Sequence, residues 1–290
     1  MDVPAGLSWW RARPGGAEWL DALPALAAAC AERWDLRLGH PFEPATISLV
    51  VPAERRDGTR AVLKINFPEA ESEHEPAALA HWDGDGAARL LAADPGRAAL
   101  LIERLDPARR LWSLPEPLAT TTAAGVLRRL WSTPPAPTAP FPRLEDAVEE
   151  WAVAAARRPP TQPRLLDLAA GLSRELLACP GEPVVLHQDF TAATCCSTRP
   201  VGGWQSTRSR WSASGRSTAL RWCATAARSC CAIPIPLARI RRRLGQLSRA
   251  RLDRDRIRGW AVVHAVAWGG DTGPGWDTAM VACAGWLADA

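Results

Sequence analysis

The chain has 290 residues, with 34 arginines, one lysine, 15 tryptophans, no tyrosine and a formal net charge of +4. This length allows one large domain or two modest lobes, and a 47% apolar content is typical of a globular protein. The sequence has no run of about 18 apolar residues and no signal-peptide pattern in its first residues, which argues against a membrane span and favours a cytoplasmic protein.

In the first third of the chain, the apolar pattern changes between helical and alternating. It predicts, in order, a helix over residues 17–34, strands over 46–52 and 60–66, a helix over 71–82 and a strand over 98–105. A turn at residues 56–59 joins the first two strands into a predicted hairpin. Pro24 interrupts the first helix, and Pro76 is tolerable only near the start of the second.

The remainder of the chain is mostly helical. The pattern predicts helices over residues 117–134, 144–157 and 164–179, a short strand over 183–187, and helices over 237–252, 253–269 and 274–289. Asp253 is the predicted N-cap of the second of the last three helices, and Gly269-Gly270 ends it. A β-rich first third followed by helices predicts an α+β protein with two lobes, residues 1–105 and 106–290.

One segment, residues 190–252, differs from the rest in composition. It contains 12 arginines and no acidic residue, so the rest of the chain has a net charge of −8 although the whole chain is at +4. Five of the eight cysteines lie in residues 195–231, and their spacing fits neither a zinc site nor a cytosolic disulfide framework. The arginines form no regular stripe, so nucleic-acid binding is less favoured than a different origin of the segment.

The single lysine, Lys64, lies on a predicted strand in a Val-Leu-Lys context. A lysine at such a position in a kinase binds nucleotide phosphates and is held by a helix carboxylate. Glu75, in the next predicted helix, is the preferred carboxylate, with Glu71 and Glu73 as alternatives on other faces. The simpler explanation is a solvated lysine at a strand end and an ordinary charged helix face.

Two further segments carry candidate chemistry. The strand Leu101-Ile-Glu-Arg-Leu105 ends in Glu103, Arg104 and Leu105, where a kinase hinge would present backbone groups to adenine. His187-Gln-Asp189 follows the predicted strand 183–187, and an aspartate there is placed to accept the proton of a substrate hydroxyl. The alternative is an aspartate that caps a turn.

Taken together, these segments resemble the aminoglycoside and hydroxyurea resistance kinases, the streptomycin 6-kinase-like branch of the aminoglycoside phosphotransferases. The matching segments are WLDALPALAAACAERWDL, SLVVPAERRDGTRAVLKI, ALAHWDGDGAARLL, LLIERL, VVLHQDF and LDRDRIRGWAVVHAVAWG. The resemblance implies a bilobal protein-kinase-like fold and an antibiotic-resistance phosphotransferase that uses ATP and Mg²⁺. Its partner would be a small molecule with a hydroxyl group, such as an aminoglycoside or hydroxyurea.

The resemblance also implies roles for particular residues. Lys64 would hold the α- and β-phosphates, Glu75 would hold Lys64, and Asp189 would be the catalytic base. Ala45 and Thr46 would lie near the turn that covers the phosphates, although the sequence has no glycine-rich loop there.

The family's two metal ligands, an asparagine and a second aspartate, are replaced in this chain. Thr194 stands at the asparagine position, five residues after Asp189, and Thr207 stands where the second aspartate is expected. The resemblance therefore implies a metal site that is not intact.

A shifted reading frame over residues 191–236 explains this departure. Residues 191–196 can be encoded by ACG GCG GCA ACG TGC TGC, and one C placed before that string gives codons for His-Gly-Gly-Asn-Val-Leu. The same shift converts residues 202–210 into Gly-Arg-Val-Ala-Val-Asp-Pro-Lys-Pro, with the aspartate at the place of Thr207. It also converts residues 233–236 into Asp-Pro-His-Pro.

The frame hypothesis predicts little or no kinase activity, and poor order over residues 191–236. The alternative is a pseudokinase that binds nucleotide or a partner without catalysis. The oligomeric state and the acceptor stay open. Acidic residues that would suit a cationic acceptor, and that solvated helix faces explain equally well, are Asp146, Glu149, Glu150, Asp271 and Asp277.

Overall fold

The computed structural model describes residues 1–157, 163–187, 190, 195–197, 204–206, 237–250, 252–269 and 276–290. It contains two compact units, Met1–Asp106 and Pro107–Ala290. The predicted lobes, residues 1–105 and 106–290, differ from these units by one residue. None of the helices in the described ranges combines the length and the apolar character that a membrane crossing requires.

The first unit is built on a five-stranded antiparallel sheet. Its strands are β1 (Leu36–Leu38), β2 (Leu49–Arg55), β3 (Arg60–Ile65), β4 (Leu90–Asp94) and β5 (Ala99–Glu103), in the order β1-β2-β3-β5-β4. The predicted hairpin is formed by β2 and β3, and Gly58 takes a φ of +81° in its turn, a conformation that favours glycine. β3 is the central strand, and its residues 61–65 are all buried.

Sequence periodicity missed four short elements of this unit and misplaced the start of β2. The missed elements are β1, β4, a 3-10 helix at Pro95–Arg97, and a 3-10 helix at Ala5–Ala12, which is called here the first 3-10 helix. β2 begins at Leu49 rather than at residue 46. The carbonyls of Thr46 and Ile47 instead accept hydrogen bonds from tryptophan side chains of the first 3-10 helix.

The first unit also contains helices, and the longest of them packs against the sheet. α1 (Gly16–Trp34) buries Leu23 and Ala27 in a cluster with sheet residues such as Leu63. The single helix predicted over residues 71–82 is wrong in one respect. It is divided into α2 (Ala70–Glu73) and α3 (Glu75–Trp82), because Pro76 lacks an N–H and its ring clashes with a carbonyl four residues earlier.

The second unit is mostly helical. Its helices are α4 (Glu116–Leu130), α5 (Leu144–Ala156), α6 (Pro163–Ala178), α7 (Leu237–Arg249), α8 (Arg254–Trp268) and α9 (Thr278–Ala288). Asp253 accepts a hydrogen bond from the backbone N–H of Arg256 (2.9 Å), which confirms the predicted N-cap of α8. The strand predicted over residues 183–187 is wrong, since these residues contribute only a single bridge, at Val185.

A small sheet reaches into the segment with the unusual composition. Its strands are β6 (Asp106–Arg110), β7 (Cys195–Ser197) and β8 (Trp204–Ser206), in that order, and β7 and β8 are antiparallel. Cys195 is fully buried. The other residues between 191 and 236 lie outside the described residues, so the poor order expected for this segment stays a prediction.

Three arginines of α7 converge on one carboxylate at the start of α4. Arg239, Arg242 and Arg243 all donate to Glu116, with Arg243 Nε at 2.6 Å from Oε1 and Arg242 Nη2 at 3.0 Å from Oε2. Burial raises the pKa of the Glu116 carboxyl, but the charge of Arg243 and the hydrogen bonds from Arg243 and Arg239 lower it more, so the pKa lies below its ordinary value. Three of the arginines in the basic segment are therefore engaged within the fold.

Replacing Glu116 by glutamine is expected to lower the free energy of unfolding at pH 7 by about 1.5–3 kcal/mol, the range for hydrogen bonds to charged groups. Because the folded-state pKa is lowered, this stabilisation is present above the ordinary glutamate pKa of about 4.3 and is lost as the pH falls through the folded value. Urea unfolding of both proteins at pH 7 and about pH 3 measures the difference, which should shrink in acid. Glu145→Gln, which removes a 3.6 Å ion pair with the exposed Arg143, is the control. A Glu116→Gln loss that does not depend on pH would contradict the assignment.

Candidate active site

The single lysine and its predicted carboxylate meet in the interior of the first unit. Lys64 lies on β3, paired with Val50 on β2 and Leu100 on β5. Its Nζ donates to both carboxylate oxygens of Glu75, the first residue of α3, at 2.6 Å from Oε2. The two side chains are only 9% and 3% exposed. Such a pair is held with both charges away from water, where each ion would cost several kcal/mol if it stood alone.

The break between α2 and α3 places Glu75 for this contact. Since α3 begins at Glu75, its carboxylate lies in the first turn of a helix, where negative charge is favoured. Glu73, one of the two alternative partners, ends α2 instead. The geometry therefore selects Glu75, the preferred residue, as the carboxylate that holds Lys64.

Two polar residues that sequence reasoning missed complete this network. Asn66, two residues after Lys64, donates from Nδ2 to Oε2 of Glu75 at 2.9 Å. Ser48, which directly precedes β2, donates from Oγ to Oδ1 of Asn66 at 2.7 Å. All four side chains are buried. The amide orientation follows from charge, because the reverse orientation would place Oδ1 against the Glu75 carboxylate.

Asn66 could have been found from the sequence by its spacing from Lys64. Residues i and i+2 along extended backbone point to the same side, so an asparagine two residues after the lysine shares its side of the sheet. Ser48 had no such signal. It is brought to Asn66 only by the pairing of β2 with β3.

The residues predicted to lie near nucleotide phosphates are in the connection between β1 and β2. This connection, residues 39–48, is called the β1–β2 loop. Ala45 is buried, and the carbonyl of Thr46 accepts a hydrogen bond of 2.6 Å from Nε1 of Trp9. The loop has glycine only at its first residue, Gly39, so it lacks the run of glycines that lets backbone N–H groups wrap a phosphate. Contact with phosphate stays a prediction for Ala45 and Thr46.

The predicted hinge residues lie at the end of β5. Glu103 pairs with Ala61 on β3, and its backbone N–H donates to the carbonyl of Arg89 at 2.9 Å. Leu105 is buried, and the guanidinium of Arg104 lies 5.7 Å from the ring centroid of Phe42 in the β1–β2 loop. The structure thus brings the loop and the hinge segment together on one side of the unit.

The predicted catalytic base and both expected metal positions, Asp189, Thr194 and Thr207, lie outside the described residues. Their described neighbours are His187 and Phe190, both buried, with ring centroids 5.8 Å apart in an edge-to-face contact. The backbone N–H of Phe190 donates to the carbonyl of His187 at 3.3 Å.

The five acidic residues considered for a cationic acceptor do not form one cluster in the described part of the chain. Asp146, Glu149 and Glu150 line a shallow cavity of about 420 Å³ on the exposed face of α5, together with Arg157. Asp277 accepts from the backbone N–H of Met280 at 3.2 Å and thus caps α9. Asp271 lies outside the described residues. The capping hydrogen bond accounts for an acidic residue at position 277, and no bound ligand is needed to explain it.

Comparison of the whole fold identifies its class. The structure matches a macrolide 2'-phosphotransferase from Brachybacterium faecium with a TM-score of 0.60 and 14% identity, over 92% of this chain and 98% of that one. The α+β fold is therefore the protein-kinase-like fold of small-molecule kinases, as predicted. At this identity the match shows the fold alone.

Sequence comparison identifies the family. Residues 33–273 match the aminoglycoside/hydroxyurea antibiotic resistance kinases, and the chain belongs to this family. It is 38% identical to a streptomycin 6-kinase of Streptomyces griseus over 66% of this chain and 64% of that protein. It is 44% identical to a hydroxyurea phosphotransferase of Kitasatospora aureofaciens over 46% of this chain and 41% of that protein. The chain thus covers less than two thirds of the length of either relative.

Proposed function

We propose that the chain is an ATP-dependent phosphotransferase that acts on a hydroxyl group of a small molecule, such as an aminoglycoside or hydroxyurea, and that this copy has lost most of its catalytic activity. The observation that carries the proposal is the buried pair of Lys64 and Glu75 on the central strand of the first unit. The work of such an enzyme would be antibiotic resistance or secondary metabolism in the cytoplasm.

The residues of the first unit fit a nucleotide. Lys64 supplies an amino group for the α- and β-phosphates, and the hydrogen bonds to Glu75 orient this group in the interior. Ala45 and Thr46 lie in the loop that would cover the phosphates, and the backbone at Glu103, Arg104 and Leu105 would bind adenine. Bound ATP would supply the phosphoryl group for transfer.

Asp189 is the proposed general base. An aspartate two residues after a histidine, at the end of the Val-Val-Leu-His segment, would orient the acceptor hydroxyl and accept its proton. The two described residues that flank this position, His187 and Phe190, are both buried.

Magnesium does not fit the residues of this copy. Mg²⁺ prefers carboxylate and other oxygen ligands in near-ideal octahedral geometry. Thr194 and Thr207 offer neutral hydroxyls where the family has an amide and a carboxylate. We therefore propose that the chain as it stands has little or no turnover, and that a reading-frame shift over residues 191–236 is the cause.

A second candidate function is nucleotide or partner binding without catalysis. The observation that favours it is that the network of Ser48, Asn66, Glu75 and Lys64 is complete, although the metal positions are neutral. A chain with this combination can retain ATP affinity after it has lost phosphoryl transfer.

Calorimetry with ATP, with and without Mg²⁺, tests both candidates. We expect ATP to bind the wild-type chain through Lys64, and we expect the Lys64→Met/Glu75→Leu double variant to lose this binding. Tight binding that ignores Mg²⁺ favours the non-catalytic function, and weak binding in both conditions favours a damaged enzyme. Equal ATP affinity of the wild type and the double variant would contradict the role of Lys64.

A further inference from the structure

The first 3-10 helix holds three successive residues of the β1–β2 loop. Nε1 of Trp9 donates to the carbonyl of Thr46 at 2.6 Å, and Nε1 of Trp10 donates to the carbonyl of Ile47 at 3.1 Å. The carbonyl oxygen of Ala45 approaches Gly6 so closely that a Cβ there would lie only 2.4 Å from it. Glycine at position 6 is therefore needed for this approach, and the helix covers the loop over residues 45–47.

Aromatic packing makes this helix a fixed support. Trp10 is 2% exposed and lies between two rings, with centroids 4.3 Å from Trp9 and 4.4 Å from Phe67, both stacked. The ring of Trp19 meets Trp10 edge-on at 5.7 Å, and its Nε1 donates to the carbonyl of Asn66 at 3.1 Å. The support is therefore continuous with the end of β3, two residues from Lys64.

The C-terminal end of the β1–β2 loop is attached to Asn66 through buried side chains. Ser48, the last loop residue, donates to Asn66, which donates to Glu75, the partner of Lys64. Between these attachments the loop contains Pro41 and Pro44 and no glycine after Gly39. Proline fixes φ and glycine would free it, so the loop is stiff and takes its position from its contacts.

We propose that the first 3-10 helix is a positioning element for nucleoside triphosphate binding, in which Trp9 and Trp10 set where the β1–β2 loop stands relative to Nζ of Lys64. This inference rests on the proposed function. The two tryptophans act through the loop and need not touch the ligand. A glycine-rich loop takes its position by wrapping the phosphates with its own backbone. Here the two tryptophans would position the loop from outside.

Trp9→Phe tests the proposal, because it removes the indole N–H and keeps a ring that can stack on Trp10. Trp9 is 40% exposed, so the core is left in place. Calorimetry with ATP and with adenosine is the measurement. We expect the ATP dissociation constant to rise about 3- to 10-fold, the range for one net hydrogen bond, and the adenosine dissociation constant to stay unchanged. A general loss of structure would weaken both ligands alike.

Trp112→Phe is the matched control, since Trp112 is 58% exposed and belongs to the second unit. Unchanged ATP affinity in Trp9→Phe, or an equal loss for ATP and adenosine, overturns the proposal while the proposed function stands. If the wild-type chain binds no ATP, the proposed function fails and the nucleotide part of this inference fails with it. Amide exchange at residues 45–48 without ligand then tests the contact itself: Trp9→Phe must speed it, and no change overturns the positioning role.

Discussion

Replacing Glu75 by glutamine is expected to lower the free energy of unfolding by about 3–5 kcal/mol, which is the usual cost of breaking a buried ion pair from one side. The reason is that the ammonium group of Lys64, whose side chain is 9% exposed, would lose the Glu75 carboxylate that accepts its hydrogen bonds in the interior. Urea unfolding measures the loss. Amide exchange in β3 assigns it to the first unit, because exchange reports local as well as global opening.

Two further variants distinguish the loss of one partner of the buried pair from the loss of a whole pair and from the loss of an exposed pair. Lys64→Met/Glu75→Leu removes both charges and should cost less than Glu75→Gln, since apolar replacement of a whole buried pair is often close to neutral. Glu54→Gln breaks the exposed pair with Arg37, whose side chain is 82% exposed, and should cost at most about 1 kcal/mol. A Glu75→Gln loss no larger than that of Glu54→Gln would contradict the buried network.

Restoring the reading frame over residues 191–236 is expected to raise ATP-dependent phosphorylation of streptomycin or hydroxyurea by on the order of 10³-fold or more, as for groups that stabilise a transferring phosphoryl group. The repaired chain carries His-Gly-Gly-Asn after Phe190 and an aspartate at the place of Thr207. The physical reason is that an amide and a carboxylate replace two neutral hydroxyls as oxygen ligands. Phosphate transfer to each acceptor is the measurement.

Asp189→Asn in the repaired chain is the control, and it should remove about 10²- to 10⁴-fold of the gained activity, the usual contribution of a general base. The nucleotide sequence across codons 188–240 is an independent test of the cause. If no single-base loss with a later compensation restores His-Gly-Gly-Asn and Asp-Pro-Lys, the frame hypothesis fails. Nucleotide binding without catalysis then becomes the leading function.

The fold was predictable from the sequence where periodicity and turn residues agree. The hairpin of β2 and β3, helix α1 and the N-cap at Asp253 were all visible in local patterns. The misses were short or irregular elements. β1 has three residues, and the strand expected over residues 183–187 reads as apolar and β-branched but has only a single bridge. The strand preference of a segment depends on its own residues, whereas a strand also needs a neighbouring strand to pair with, and the local sequence does not show whether one is present.

The sequence by itself determined the chemistry that is available. One lysine, a helix carboxylate eleven residues later, a His-Gln-Asp segment and threonines at the expected metal positions are matters of residue type and order. The tertiary structure alone decided which groups meet. Glu75 binds Lys64 because a new helix begins there. Asn66 meets Ser48 because β2 pairs with β3, and it also donates to Glu75. Trp9 and Thr46 are 37 residues apart in sequence, so no local pattern could pair an indole N–H with that carbonyl before packing brought them together.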